Sequence, residues 1–235
     1  LTTAMATLRT NVFTPRAGEA MAFKLDCSKV YGRVEPKPWR EIFVYHPMME
    51  GVHLRGGPVA RGGLRHSDRE TDYRTEVLGL MIAQMRKNTI IVPVGAKGGF
   101  FIRGQLDKAK IERGYRLYVR ALLRVSDTYG ETGKVVQPKR VMCKDGPDPY
   151  MVVAADKGTA KLSDVANDEA CRADYWGQKK PGYWLGDAFA SGGSKGYDHK
   201  QMAITSRGAW ISVMHHAGAL GITPRKDRLL VMVGI

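Results

Sequence analysis

Four stretches of the sequence hold residue types that could do chemistry. The first is Arg61-Gly62-Gly63-Leu64-Arg65, two guanidinium groups around two glycines. Glycine lets backbone approach a ligand closely, and arginine can hold a carboxylate by two parallel hydrogen bonds. The same residues would equally make a tight hairpin turn with solvated arginines. The second is Lys87, at the end of an apolar helix, where a cation complements the helix dipole. The third is Lys97 in Gly95-Ala96-Lys97-Gly98-Gly99, after an apolar run. Strand ends in α/β sheets are where ligands bind. A lysine partly withdrawn from water and close to other cations loses its proton more readily and can exchange it near neutral pH. A lysine on a surface turn is the alternative. The fourth is Asp156, after a second apolar run, either a helix N-cap or a proton carrier facing Lys97. Together these positions suit a small acidic substrate that undergoes proton transfers.

Elements must position them. Ser67-Asp68 can cap a helix with Glu70 in its first turn. Val77, Leu80, Met81, Gln84 and Met85 share one largely apolar face, and the helix is expected to end near Asn88. Thr89 to Val94 reads as a buried strand, rich in β-branched residues. Gly95 to Gly99 follows as a loop, and Phe100 to Ile102 returns as a strand. Asp107 to Tyr129 reads as a long helix with Leu117, Ala121, Leu122 and Val125 on its apolar side. Met151 to Ala155 is a buried strand, and a helix is expected after Asp156-Lys157-Gly158-Thr159. Upstream, Thr2 to Phe13 reads as a helix. Ala22 to Leu25, Glu41 to Tyr45 and Val52 to Arg55 read as short strands, the last followed by a turn at Gly56-Gly57-Pro58. Downstream, Tyr175 to Tyr197 is loop-like, Arg207 to Leu220 is helical with Gly221 ending it, and Arg228 to Gly234 is an apolar strand. Strands alternating with helices give an α/β domain, with a mixed sheet because the early strand connections are short.

Composition narrows the function classes. The 235 residues suffice for one large domain or two small ones. Hydrophobic residues at 43% and charged residues at 26% fit a soluble globular protein. No apolar run approaches the roughly 20 residues of a membrane helix, so no membrane partner is expected. The first residues lack a secretory signal and an initiator Met, so Leu1 is expected not to be a native start. Cys27, Cys143 and Cys171 are widely spaced and form no CxxC pair, which argues against a disulfide framework and fits a reducing cytoplasm. The histidines have no ligand spacing, so no metal is assigned. The net charge of +14 could serve nucleic acid, a small dicarboxylate, or an acidic remainder elsewhere in a longer chain. It is spread along the sequence, with no RNP-like or zinc-finger motif, so nucleic acid is not the expected partner.

A family resemblance adds to this. Gly57-Pro-Val-Ala-Arg-Gly-Gly-Leu-Arg65, Asp72-Tyr-Arg-Thr-Glu-Val-Leu-Gly-Leu80, Met85-Arg-Lys-Asn88 and Val92-Pro-Val-Gly-Ala-Lys-Gly-Gly99 resemble the large bacterial NAD-dependent glutamate dehydrogenases. So do Val152 to Ala160, Trp184 to Ser194, Tyr197 to Lys200 and Ile204 to Trp210. The resemblance implies a substrate-binding domain of the amino-acid dehydrogenase type over residues 1–205, with a mixed sheet flanked by helices. Residues 206–235 would be a linker helix and the first strand of a truncated NAD-binding (Rossmann) domain. It implies NAD-dependent oxidative deamination of L-glutamate to 2-oxoglutarate and ammonium, in the cytoplasm, by a homo-oligomer when full length. Lys97 matches the catalytic lysine, which activates water and assists the carbinolamine steps. Asp156 matches the aspartate that passes protons to and from the amino group. Lys87 matches the lysine that binds the α-carboxylate, with Met85 lining the pocket beside it. Arg61 stands where the small hexameric enzymes carry a lysine for the γ-carboxylate, a change that keeps charge but alters geometry. Gly62 and Gly63 would offer backbone contact to the substrate.

A dinucleotide site usually needs strand, G-x-G-x-x-G turn and helix, and no such turn is present. The residues that hold NAD are therefore expected outside this chain, and the chain alone is expected to be inactive. Two rivals remain: a basic nucleic-acid-binding module, and a serine hydrolase using Ser194 in Gly192-Gly-Ser-Lys-Gly196, with Asp198 and His215 or His216. The hydrolase elbow demands strand, turn and helix, and Asp187 to Ala190 is a poor strand.

Overall fold

The computed structural model describes residues 2–14, 16–87, 92–184, 190, 192–195 and 202–222. The chain divides into two compact units, Leu1–Gly196 and Tyr197–Ile235. The first opens with α1 (Thr2–Ala6), β1 (Thr7–Thr10), β2 (Met21–Asp26), α2 (Cys27–Val30), β3 (Arg40–His46) and β4 (Met49–Arg55). Then come β5 (Ala60–His66), α3 (Tyr73–Lys87), β6 (Val94–Ile102) and α4 (Lys108–Arg124). The short β7 (Thr128–Tyr129), β8 (Val135–Val136) and β9 (Met142–Cys143) lead to β10 (Val152–Ala155) and α5 (Ser163–Arg172). In the second unit the described helix is α6 (Ile204–Ala219), with Leu220 as C-cap and Gly221 beyond it at φ 69°.

Eight strands form one mixed sheet in the order β10-β5-β6-β4-β3-β2-β1-β9. β10, β5 and β6 run parallel, and the pairings from β6 through β4, β3, β2 and β1 to β9 are antiparallel. This is the expected mixed α/β fold. Alternation along the strands sends successive side chains to opposite faces. On one face Ala22, Ile42, Val44, Leu64 and Phe100 pack with Tyr115, Tyr118 and Leu122 of α4. On the other, Val52, Leu54 and Phe101 pack with Tyr73, Val77 and Met81 of α3. α4 starts where Asp107 accepts the Lys110 amide at 2.7 Å, an ordinary N-cap.

Several elements differ from the sequence expectation. The expected helix over Thr2 to Phe13 stops at Ala6, and Thr7–Thr10 joins the sheet. Tertiary pairing wins there, because Arg9 is drawn into a buried ionic network. α3 begins at Tyr73 rather than at Ser67, whose hydroxyl instead bonds Glu76 at 2.7 Å. The long helix ends at Arg124, and Thr128–Tyr129 is a strand. Gly95 to Gly99 is no loop: β6 runs unbroken from Val94 to Ile102 between β5 and β4. The strand expected over Thr89 to Val94 lies partly outside the described residues, and Val92 is exposed and precedes β6. Arg61 to Arg65 is likewise a strand segment, not a turn. The C-terminal strand expected at Arg228 lies outside the described residues.

The ionic network fixes the frame around the parallel strands. Arg9 contacts Asp127 and Asp145 at 2.5 Å each, and Lys24 contacts Asp145 and Asp148 at 2.6 Å each. Arg55, the last residue of β4, holds Asp148 at 2.6 Å and also donates to the Pro58 carbonyl. Burial pushes the Asp148 carboxyl up, but Arg55 and Lys24 outweigh it and hold it below the usual range. The network thus ties the β4–β5 turn to the segment that enters β10.

Candidate active site

The parallel strands set the geometry. Arg61 pairs with Gly95 and Val152, and Leu64 pairs with Gly98 and Ala155, which puts Lys97, Gly63 and Ala154 in one row. Asp156 lies two residues past Ala154, so it faces the same side of the sheet. A Cβ on Gly63 would come within 2.8 Å of Asp156 Cβ. The missing side chain is what lets Asp156 lean across β5, and its Oδ2 accepts from Lys97 Nζ at 3.1 Å. Asp156 therefore faces Lys97 and caps no helix, since α5 starts at Ser163. Gly62 serves another need: a Cβ there would lie 1.6 Å from the Ala96 carbonyl oxygen.

Lys97 and Asp156 are 21% and 19% exposed, so the pair is half-open to solvent. Burial pushes the Asp156 carboxyl up. The Lys157 amide, the Lys97 ammonium and Arg65 together outweigh burial and hold it below the usual carboxylate range. Lys97 therefore stands beside a carboxylate, not only among cations.

Arg61 lies two residues back along β5 from this row, and Met85 lies over its neighbour Gly95. The Arg61 side chain is exposed, and its carbonyl receives a long 3.5 Å bond from Gln84 Nε2. Its row partner Gly95 lies under α3, where a Cβ would come within 3.1 Å of Gln84 Oε1 and Met85 Cγ. Lys87 ends α3 with an exposed side chain. Among the described residues, no hydrogen bond or ion pair joins Arg61 or Lys87 to the Lys97–Asp156 pair. The structure thus brings Lys97, Gly63 and Asp156 into contact, and sets Arg61 and Met85 beside them along the strands.

Sequence reasoning singled out Arg65 in the first motif but missed its carboxylate partners, and missed Glu76 altogether. Arg65 Nη2 lies 3.4 Å from Asp156 Oδ1, and its Nη1 donates to Glu76 Oε1 at 3.0 Å. The paired arginines around Gly62-Gly63 signal a cation here, but only the parallel β5–β10 pairing brings Asp156 to Arg65. For the hydrolase rival, the Ser194 hydroxyl donates to Asp164 at 2.7 Å in a short 3-10 turn that follows no described strand, and Asp198 lies outside the described residues. Among the described residues no cluster of His, Cys, Asp and Glu could hold a metal, and no helix is long and apolar enough to cross a membrane.

Comparison with known proteins shows the family of this chain. The model of the family "Bacterial NAD-glutamate dehydrogenase, catalytic domain" matches residues 1–235. The chain is 52% identical to an NAD-specific glutamate dehydrogenase of Halomonas elongata, over 98% of this chain and 14% of that protein. It is 52% identical to that of Pseudomonas aeruginosa, over 97% and 14%, and 29% identical to that of Neurospora crassa, over 70% and 16%. The crystal structure of a glutamate dehydrogenase from Peptoniphilus asaccharolyticus shares the fold at TM-score 0.50 and 18% identity, covering 79% of this chain and 44% of that one. The chain belongs to the catalytic-domain family of bacterial NAD-glutamate dehydrogenases. It spans about 14% of the length of the Halomonas and Pseudomonas relatives.

Proposed function

We propose that this chain is the substrate-binding, catalytic part of an enzyme that oxidatively deaminates L-glutamate to 2-oxoglutarate and ammonium with NAD. The observation that carries the reading is the Lys97–Asp156 contact across Gly63, in a chain of this family. Residues 1–205 make the substrate domain in this reading, and residues 206–235 begin the next one.

Each residue has a role that its position supports. Asp156, held as a carboxylate, accepts a proton from the substrate ammonium group. Lys97 donates one N–H to Asp156; as a neutral amine it can take the proton of the attacking water and then donate it to the carbinolamine as that breaks down. Proton transfer between groups in hydrogen-bond contact is what general acid–base catalysis requires. Arg61 stands two residues along β5 from the Lys97 row, about 7 Å at strand rise. That spacing suits a dicarboxylate lying along the strands, with Arg61 on the γ-carboxylate and Lys87 on the α-carboxylate. Gly62 and Gly63 keep the floor low and offer backbone to the substrate, and Met85 packs at the Arg61 end. NAD, when bound, takes the hydride from the substrate Cα. The sequence holds no G-x-G-x-x-G turn, so no residue of this chain is assigned to the cofactor. A cytoplasmic, homo-oligomeric enzyme completes the reading.

The test is glutamate-dependent NAD reduction by a protein of the relatives' length carrying this chain. Reduction that requires glutamate supports the proposal. Absence of reduction with glutamate, in a folded protein, would refute it.

A further inference from the structure

We infer that Arg65 is a positioning residue that fixes which oxygen of Asp156 exchanges protons. The inference rests on the roles proposed for Lys97 and Asp156. The two carboxylate oxygens have different neighbours. Oδ1 receives the Lys157 amide at 2.8 Å and faces Arg65 Nη2 at 3.4 Å. Among the described residues, Oδ2 receives only Lys97, at 3.1 Å. Arg65 in turn is anchored by Glu76 at 3.0 Å, and Glu76 is anchored by the Ser67 hydroxyl at 2.7 Å. Glu76 sits in the first turn of α3, the helix that covers this face of the sheet. A chain of polar contacts therefore runs from the helix start to Oδ1.

This division has two effects. Oδ1 is occupied by fixed donors, so a proton arriving at Asp156 goes to Oδ2, the oxygen beside Lys97. The guanidinium also favours the carboxylate over the carboxylic acid, because an opposite charge nearby stabilises the ionised form. Glu76 tempers this from behind Arg65. The groups facing Asp156 are Lys97 from β6, Arg65 from β5, Glu76 from α3 by way of Arg65, and the Lys157 amide from its own loop. His66, the next residue of β5, turns to pack on Phe100 instead. Arg65 touches neither substrate nor cofactor in this scheme; it acts through Asp156.

The experiment uses the full-length enzyme and compares the kcat/KM pH profile of wild type with Arg65→Gln, Arg65→Met and Arg65→Lys. Losing the charge favours protonated Asp156, so more alkaline solution is needed to ionise it. The acidic limb should move to higher pH by about one unit. At low pH this is about a tenfold loss, while the alkaline plateau changes little. Arg65→Lys should bring the limb most of the way back. Arg65→Met repeats the charge loss should the glutamine variant not fold. A uniform loss at every pH, or an unmoved limb, in an enzyme that Lys97→Ala inactivates would overturn the inference and leave the function standing. Full activity of Lys97→Ala would overturn both.

Discussion

Two clusters of charged side chains lie on opposite faces of the same sheet, and they are built differently. In the Arg9–Lys24–Arg55 cluster, three cations meet Asp127, Asp145 and Asp148. Arg9 and Asp127 are fully buried and Lys24 is 1% exposed. Every cation there has carboxylate partners within 2.6 Å. In the Lys97 cluster the pair is about one-fifth exposed, and among the described residues Lys97 has one carboxylate partner, at 3.1 Å. A network sealed from solvent is closed to a ligand, so it serves to hold strands together. A half-open pair keeps donors available, and it is the one that fits chemistry. Charge density alone does not separate frame from site; saturation and access do.

Substitutions can break that contrast. The largest effect on stability is expected for Asp148→Ala, which strands Arg55 in the interior and takes one of two carboxylate partners from Lys24. Removing one partner of a buried ion pair costs about 3–5 kcal/mol, read as a lower urea midpoint. Asp156→Ala should cost about 1 kcal/mol or less by the same measurement, as pairs open to solvent contribute little. Equal losses in the two variants would erase the distinction between frame and site.

Gly63→Ala sharpens it from the other side. The new methyl meets Asp156 Cβ at 2.8 Å and pushes the carboxyl off Lys97. kcat of the full-length enzyme should fall about tenfold or more, since small misplacements of reacting groups are costly, with a urea midpoint close to wild type. A smaller change is expected for Lys87→Ala. KM for glutamate should rise about tenfold with kcat little altered, the pattern of lost uniform binding. A kcat loss at unchanged KM would move Lys87 from binding to chemistry.

Much of the fold was legible in the sequence. Ala22 to Leu25, Glu41 to Tyr45 and Val52 to Arg55 lie within β2, β3 and β4, and Asp107 caps α4. Those segments obey local rules: β-branched or apolar runs between breakers, and a capping side chain before an amphipathic stretch. Gly95 to Gly99 breaks such a rule. Glycines in a row read as a turn, yet they lie in β6 because Val77, Gln84 and Met85 press on Gly99 and Gly95. That pressure comes from a helix packed across the sheet and leaves no local trace. Arg9 is the same lesson in a charged residue: its partners are more than a hundred positions away. The Lys97–Asp156 pairing was visible because both follow apolar runs in an α/β pattern. Arg65 and Glu76 were not, since their tie to Asp156 depends on β10 docking beside β5.

The most direct test is Lys97→Ala in the full-length enzyme, with NAD reduction by glutamate and the urea midpoint measured on the same preparation. Removing a positioned proton-transfer group should lower kcat by about 10²–10⁴-fold, with a midpoint near wild type. Retained turnover in a folded Lys97→Ala enzyme would contradict the catalytic role of Lys97 and the function built on it.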